Sequence, residues 1–392
     1  MIDVLVVSHA CVTAINRIPW RRLAELGWTV EIVTAPELVT REIVRRADPP
    51  QPDDPPLHFL PLSGPNLRFW RFVGLRALIA RRRPKIVMLD YDPGTLITLE
   101  TGMALAGSGA HIACLSYDNI VRRVTDELRQ SPAAGARTMT VRAMSALAAR
   151  FVDHVFVLSS DSAEVMHHFG FAGRTSRIPL GFDPALFRPD EATRSRVRAE
   201  LGLHSPTFAY FGRVVPEKGA HLLLEALARM RDREWQLLLD HFSDYKHPYV
   251  RELAEAVDRL GLRDRVVYFD APHERMGEYM NAADIVVMPS RSTPRWKEQY
   301  GRVAQEAMAC GKVVVVSTSG ALPELVGDAG VVVPEEQLDR LDVALRGLLE
   351  DAPLRERLGR LGAARAHEQL SLTVQVRLIH ERFLKWSAPS RA

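Results

Sequence analysis

The chain has 392 residues, of which 47% are hydrophobic and 25% charged, with 51 basic against 48 acidic side chains and a formal net charge of +3. That length is more than one compact core holds and predicts two domains of ordinary size, and the near balance of charge argues against a chain built to bind nucleic acid. Cys11, Cys114 and Cys310 are too scattered for a metal motif or a disulfide framework, which suits a reducing compartment.

The N-terminus enters an apolar strand at once, with no signal pattern, and no apolar run is long enough to span a bilayer; the expectation is a cytoplasmic protein. From there short apolar runs alternate with helical patterns to the end of the chain. This is the α/β signature of parallel strands buried on both faces. In the first half the expected strands are Val4–Val7, Val30–Val33, His58–Leu60, Ile86–Leu89, Ile112–Leu115, Val155–Leu158 and a short one at Ser176–Ile178. In the second half they are Phe208–Phe211, Gln236–Leu239, Val266–Phe269, Ile285–Met288, Val313–Val316 and Val331–Val333. The Pro/Asp-rich stretch Pro49–Pro56 reads as a surface loop. Pro179-Leu180-Gly181-Phe182-Asp183-Pro184, continuing to Phe187-Arg188-Pro189, makes a stiff crossover rather than a floppy linker. It separates an expected first domain at residues 1–182 from a second at 183–371, with a C-terminal amphipathic helix in 372–392.

Candidate chemistry lies in the loops that follow these strands. The first strand empties into Ser8-His9-Ala10-Cys11-Val12-Thr13-Ala14, where His9 is either a general base or, more simply, a hydrogen-bonding wall residue. The stretch Asn66–Arg71, with Arg76 and Arg81-Arg82-Arg83-Pro84-Lys85, interleaves aromatics with arginines. It suits a surface that meets anionic lipid, or an ordinary helix whose last turn is basic because the helix dipole favours cations there. Asp90-Tyr91-Asp92 and Ser116-Tyr117-Asp118-Asn119-Ile120 follow two more strands. In the second half Phe211-Gly212-Arg213 and Pro216-Glu217-Lys218-Gly219 offer a rigid guanidinium fork and a compact ammonium, both suited to phosphate oxygens. His241 and His247, with Asp240 and Asp244, form a mixed polar loop for which a solvated turn is a better reading than a metal site. Then Glu298 and Glu306, with seven residues between them, flank Gly301 at the start of a helix, where backbone N–H groups are open to a phosphate. The plainer alternative for this pair is solvated first-turn acids.

The segment Trp296-Lys297-Glu298-Gln299-Tyr300-Gly301-Arg302-Val303, followed by Glu306-Ala307-Met308-Ala309-Cys310-Gly311, Ser319-Gly320 and Pro323-Glu324, resembles the signature of family-4 retaining glycosyltransferases, including their E-x7-E motif. That resemblance implies the GT-B architecture: two facing Rossmann-like doubly wound parallel-sheet domains that close on a cleft, with the C-terminal helix crossing back to the first domain. It also implies a nucleoside-diphosphate sugar as donor and no metal cofactor, with Arg213 and Lys218 meeting the diphosphate. Glu306 would hold the ribose, Glu298 would face the sugar, and Pro272 and His273 would stand beside the base. Gly212, Tyr300, Gly301, Arg302 and Val303 complete the implied donor site. His9, Thr13, Asp92 and Asn119 would line the first domain's side. The first domain departs from the family pattern in two places, and the loop Asp240–His247, where relatives often have a glycine-rich turn, is a third. The loop after the first strand lacks the paired glycines of many relatives, and Asp118-Asn119-Ile120 occupies the place where relatives often have a histidine. Asp118 retains a polar acceptor for a sugar hydroxyl, and a front-face retaining mechanism, in which the leaving phosphate takes the acceptor's proton, does not need the histidine. The expected acceptor is a glycan, a lipid-linked sugar or a small molecule, with peripheral membrane contact through the first domain as one reading of its basic stretch. A nucleotide-sugar epimerase, a phosphorylase-like enzyme and a non-catalytic nucleotide-binding protein are the alternatives. A dinucleotide oxidoreductase is disfavoured because no strand is followed by G-x-G-x-x-G.

Overall fold

The structure, a computed structural model, describes residues 2–39, 44–240 and 248–387. The chain divides into two compact units: one takes in the sequence up to Ile178 together with the last helix from Gln375, the other runs from Pro179 to Val374.

The first unit contains β1 (Val4–Val7), β2 (Val30–Thr34), β3 (Glu37–Val39), β4 (Val44–Arg46), β5 (Leu57–Phe59), β6 (Leu62–Ser63), β7 (Arg71–Phe72), β8 (Ile86–Leu89), β9 (His111–Ser116), β10 (His154–Val157) and β11 (Thr175–Arg177). Seven of them form one sheet in the order β11-β10-β9-β8-β1-β2-β5, and every pairing in it is parallel. β1, β2, β8 and β10 are buried along their whole length, which is why they show in the sequence as unbroken apolar runs rather than alternating ones. The expected strands all fall on this sheet within a residue or two. β3 with β4, and β6 with β7, are short antiparallel pairs outside it. They went unread because they are short and largely exposed, with no periodicity to mark them.

The second unit holds β12 (Thr207–Tyr210), β13 (Gln236–Asp240), β14 (Val266–Phe269), β15 (Ile285–Met288), β16 (Val313–Ser317) and β17 (Val331–Val333). Their order is β14-β13-β12-β15-β16-β17, again with parallel pairings throughout. Each unit is therefore a Rossmann-like doubly wound sheet. In each, the strand order reverses once: between β1 and β8 in the first sheet, and between β12 and β15 in the second. Loops leaving the carboxyl ends of strands at such a reversal diverge to opposite faces and leave a crevice, the place where open α/β sheets bind ligands.

The basic stretch of the first unit is not a continuous helix. Leu67–Phe69 is a single tight turn and the helix spans only Leu75–Arg82. Arg68, Arg71 and Arg82 pair with Asp118, Glu100 and Glu31 of the same unit, whereas Arg76, Arg81 and Arg83 are exposed. The final helix, Leu372–Ser387, packs by its apolar face: Phe383 is fully buried, Trp386 stacks on His111 with ring centres 4.9 Å apart, and Trp28 Nε1 donates to His380 Nδ1 at 2.9 Å. Among the described residues no helix is long and apolar enough to cross a membrane.

One buried cation organises the loop after β1. Arg17 is fully buried. Its guanidinium donates to the carbonyl oxygens of Cys11 at 2.8 Å and Asp48 at 2.7 Å, and pairs with Asp54 at 2.9 Å. Asp48 adds a return contact, accepting from Ala14 N at 2.8 Å. The segment Pro49–Pro56 is thus a surface loop with a structural duty, since it brings the Pro49 carbonyl and the Asp54 carboxylate to a buried charge. Removing one partner of such a pair strands the other in a low-dielectric site. Arg17→Leu is expected to lower unfolding stability by about 3–5 kcal/mol, measured by urea denaturation; a loss within 1 kcal/mol, roughly the scale of a surface pair, would show that the network is not the anchor of this loop.

Candidate functional site

At the reversal in the second unit, the segment after β12 carries Phe211, Gly212 and Arg213, and a turn at Pro216–Lys218 ends in Gly219. The segment after β15 runs from Pro289 to Gly301, where the helix Arg302–Ala309 begins. These two segments meet. Gly219 has φ +69°, and a Cβ there would lie 2.0 Å from the carbonyl oxygen of Pro289. Only glycine permits both that backbone conformation and that approach.

The consequence is an ion pair between the two loops. Lys218 Nζ lies 2.6 Å from Glu298 Oε2, with the two side chains 17% and 8% exposed. The same carboxylate oxygen accepts the Ser290 hydroxyl at 3.1 Å, and the ammonium stands 5.2 Å from the centre of the Trp296 ring. Glu298 is held through its main chain as well: its N–H reaches Ser319 Oγ at 3.3 Å and its carbonyl accepts Ala321 N at 3.0 Å. Gly320, at φ +51°, makes this possible, since a Cβ on it would lie 2.0 Å from the Glu298 carbonyl oxygen. Behind this contact lies a chain of hydroxyls. Ser319 Oγ is 3.0 Å from Ser292 Oγ, which donates to Glu335 at 2.8 Å. Ser290, Ser292, Ser319 and Glu335 were not among the expected site residues. They sit just past the ends of β15, β16 and β17, so the strand-end rule that marks ligand loops was the signal available for them.

Glu306 stands in the second turn of the helix and is only 4% exposed. Burial pushes its carboxyl up to about 7, with Arg302 pulling the other way. Neither Glu298 nor Glu306 is the solvated helix acid that the plainer reading required. At the helix start Arg302 is exposed and Val303 half-buried. The first-turn N–H groups of a helix have no partner within it, and they set a partial positive charge at this end. Tyr300 is buried and donates to Gln305 at 2.7 Å, and Gln305 in turn donates to the Leu180 carbonyl. Arg213 is exposed; its carbonyl accepts the Tyr210 hydroxyl at 2.9 Å. After β14, Pro272 is exposed in a turn whose carbonyl accepts Arg275 N at 3.0 Å. Phe269, the last residue of β14, stacks on Tyr279 with ring centres 4.7 Å apart. The side chain of His273 and the loop 241–247, with His241 and His247, lie outside the described residues. Among the described residues no three His, Cys, Asp or Glu side chains group as a metal-ligand set.

At the first unit's reversal a separate polar cluster forms. Ser8 Oγ donates to Asp90 at 2.6 Å and Tyr117 OH to the other oxygen of Asp90 at 3.0 Å. Asp92 accepts Ser116 Oγ, Tyr117 N and Asp118 N at 2.7, 2.9 and 3.1 Å. Asp118 pairs with Arg68; burial, followed by the neighbouring Asp92, pushes its carboxyl up to about 6 against the pull of that arginine. Asn119 is buried beside it in sequence, and Thr13 is half-buried in the loop that Arg17 anchors. His9 packs against Trp70 and Tyr91, ring centres 5.4 and 5.2 Å away. Burial holds its imidazole below the usual range, although Asp90 pulls it upward. Sequence reading did not foresee that Arg68 would be the cation of this cluster.

A family model described as glycosyl transferases group 1 matches residues 193–365. Two curated relatives are a D-inositol 3-phosphate glycosyltransferase of Segniliparus rotundus and a GDP-mannose-dependent alpha-(1-6)-phosphatidylinositol monomannoside mannosyltransferase of Mycolicibacterium smegmatis. The first is 36% identical over 197 residues, 48% of this chain and 42% of the relative. The second is 33% identical over 205 residues, 51% of this chain and 52% of the relative. The chain thus spans about half the length of the curated relatives it matches. Among solved structures, Anabaena HepE in complex with UDP is similar at a TM-score of 0.76 and 21% identity, over 98% of this chain and 100% of that one. The sucrose-phosphate synthase of Thermosynechococcus elongatus is similar at 0.73 and 22%, over 98% and 99%. At those identities the likeness speaks for the fold. The match to the glycosyl transferases group 1 family thus covers residues 193–365, and the two units of the chain have the GT-B fold.

Proposed function

We propose that the protein is a retaining, metal-independent glycosyltransferase that moves a sugar from a nucleoside diphosphate to an acceptor. The observation that carries this reading is the convergence, at the reversal point of the second sheet, of a guanidinium segment, a lysine–glutamate pair and a helix N-terminus followed by a buried carboxylate. Transfer leaves a diphosphate whose negative charge grows in the transition state, and positive groups fixed beforehand stabilise it without reorganising. Arg213, Lys218 and the N-terminus of the helix Arg302–Ala309 are those groups. They supply the charge that a divalent cation supplies in other transferases. Glu306 accepts the ribose hydroxyls and Glu298 those of the transferred sugar, while the turn at Pro272 and His273 meets the base through main-chain groups. Gly212, Tyr300, Gly301 and Val303 shape the cradle.

The acceptor is assigned to the first unit, at the cluster of His9, Thr13, Asp92, Asp118 and Asn119. Asp118 is tied to Arg68 and acts as a hydroxyl acceptor rather than a proton shuttle. With no nucleophile assigned near the sugar, a front-face mechanism fits better than double displacement: the departing phosphate oxygen takes the acceptor's proton as the new glycosidic bond forms on the same face. Lipid-linked sugars are included among the acceptors, as the relatives' names suggest. Arg76, Arg81 and Arg83 are the residues that would meet an anionic headgroup layer, with a cytoplasmic setting for the reaction.

Three outcomes are expected. In a thermal-shift titration with UDP, GDP, ADP and dTDP, one base should raise the melting temperature selectively, with the shift unchanged by EDTA; no shift with any of them contradicts the donor site, and loss of the shift in EDTA contradicts the metal-free mechanism. Arg213→Ala should lower kcat for transfer by about a hundredfold or more, read as nucleoside diphosphate released only when acceptor is supplied; an unchanged rate removes Arg213 from the site. The third concerns Glu306, whose folded value near 7 lies above its ordinary 4.5. Between those values the folded protein keeps a proton that the unfolded chain has lost, so stability falls as pH rises through that window and stays lower above it. Glu306→Gln should therefore gain stability over wild type from pH 5 to pH 8, reaching on the order of 3 kcal/mol, while losing nucleotide affinity. A variant that is equally stable relative to wild type at both pH values would contradict the burial of this carboxylate.

A further inference from the structure

The donor reading assigns Lys218 to the diphosphate and Glu298 to the sugar, yet in the protein the two are partners, 2.6 Å apart and both mostly buried. A donor that takes both groups must compete with this internal ion pair. Each partner has a second contact that remains if the pair opens. The Trp296 ring faces the Lys218 ammonium at 5.2 Å, an attraction that does not need the carboxylate. The Ser290 hydroxyl stays on Glu298 Oε2 at 3.1 Å. The backbone of Glu298 is fixed on both sides by Ser319 and Ala321, and the turn before it is closed by Thr293 N donating to the Trp296 carbonyl at 2.7 Å. Opening the pair is therefore a side-chain event on a fixed loop.

We propose that the Lys218–Glu298 ion pair selects the intact nucleotide sugar over the nucleoside diphosphate. The proposal rests on the donor-site reading and adds a regulation to it. When an intact donor binds, Lys218 turns to the diphosphate and the sugar hydroxyls donate to Glu298, so both members of the broken pair are satisfied. When a nucleoside diphosphate binds, it takes the lysine and gives Glu298 nothing in return. A carboxylate this deeply buried is costly to leave without its cation. After transfer, the same imbalance works against retention of the product: the sugar has gone, Glu298 draws Lys218 back, and the diphosphate loses a contact. The pair thus couples recognition of the two ends of the donor.

The test is a sign, not a loss. Binding of UDP, GDP, ADP and dTDP, and of UDP-glucose, GDP-mannose, ADP-glucose and dTDP-glucose, is measured by calorimetry on wild type and on Glu298→Gln. With the selected base, the variant is expected to bind the nucleoside diphosphate on the order of tenfold more tightly than wild type, and the nucleotide sugar more weakly. If Glu298→Gln binds the nucleoside diphosphate no better than wild type does, the selection device is refuted while the donor site stands. If wild type binds none of these nucleotides, the donor-site reading falls and the proposal with it. A readout on wild type covers the case of a variant that does not fold. Wild type itself should bind the matching nucleotide sugar on the order of tenfold more tightly than the nucleoside diphosphate; equal or weaker binding of the nucleotide sugar overturns the proposal.

Discussion

Between Gly219 and the carbonyl oxygen of Pro289 there is no room for a side chain, because a Cβ would lie 2.0 Å from that oxygen. The rest of the second unit's site depends on this contact. It locks the turn after β12 against the strand end of β15, the two neighbours at which the sheet reverses its order. With that contact made, the residue before Gly219 is placed to reach across, and Lys218 meets Glu298. A second glycine repeats the device from the other side, where Gly320 lies against the backbone of Glu298. Two close backbone approaches thus fix a lysine and a glutamate that sequence places 80 residues apart. The helix Arg302–Ala309 follows directly, so its N-terminus opens beside the pair by connectivity alone.

The same logic operates in the first unit with different chemistry. Its reversal lies between β1 and β8, and the loops there are held by charge rather than by glycine. Arg17 gathers the loop after β1 from beneath, and Asp92 receives the chain after β9 through three donors. The loop Ser8–Ala14 contains no glycine. A buried arginine supplies the rigidity that such a loop needs. In the proposed reading the second unit takes the anionic, extended donor, and the carboxylates and hydroxyls of the first take the acceptor's hydroxyl groups.

Much of the fold was legible because strands buried on both faces leave continuous apolar runs; β1, with all four residues buried, is as clear as a strand can be. The pairs β3–β4 and β6–β7 were not, since two or three mostly exposed residues carry no pattern. In the candidate site, Glu298 and Glu306 were singled out by the family-like segment around Gly301 rather than by their spacing alone, and Arg213 and Lys218 by their place after a strand. What could not be read was who would neutralise whom. Burial, not spacing, separates Glu306 from an ordinary helix acid, and burial is a tertiary property. Arg17 and Arg68 were indistinguishable from surface arginines, because nothing near them in sequence announces the carbonyls and carboxylates that enclose them. The serine chain from Ser319 through Ser292 to Glu335 joins three strand ends, each unremarkable alone.

The most direct measurement of the central claim is the crystal structure of this chain with the nucleoside diphosphate that it binds. The diphosphate is expected at the N-terminus of Arg302–Ala309 between Arg213 and Lys218, with the ribose hydroxyls on Glu306 and the base against the turn at Pro272. A diphosphate bound away from that helix, or a ribose that leaves Glu306 untouched, would contradict it.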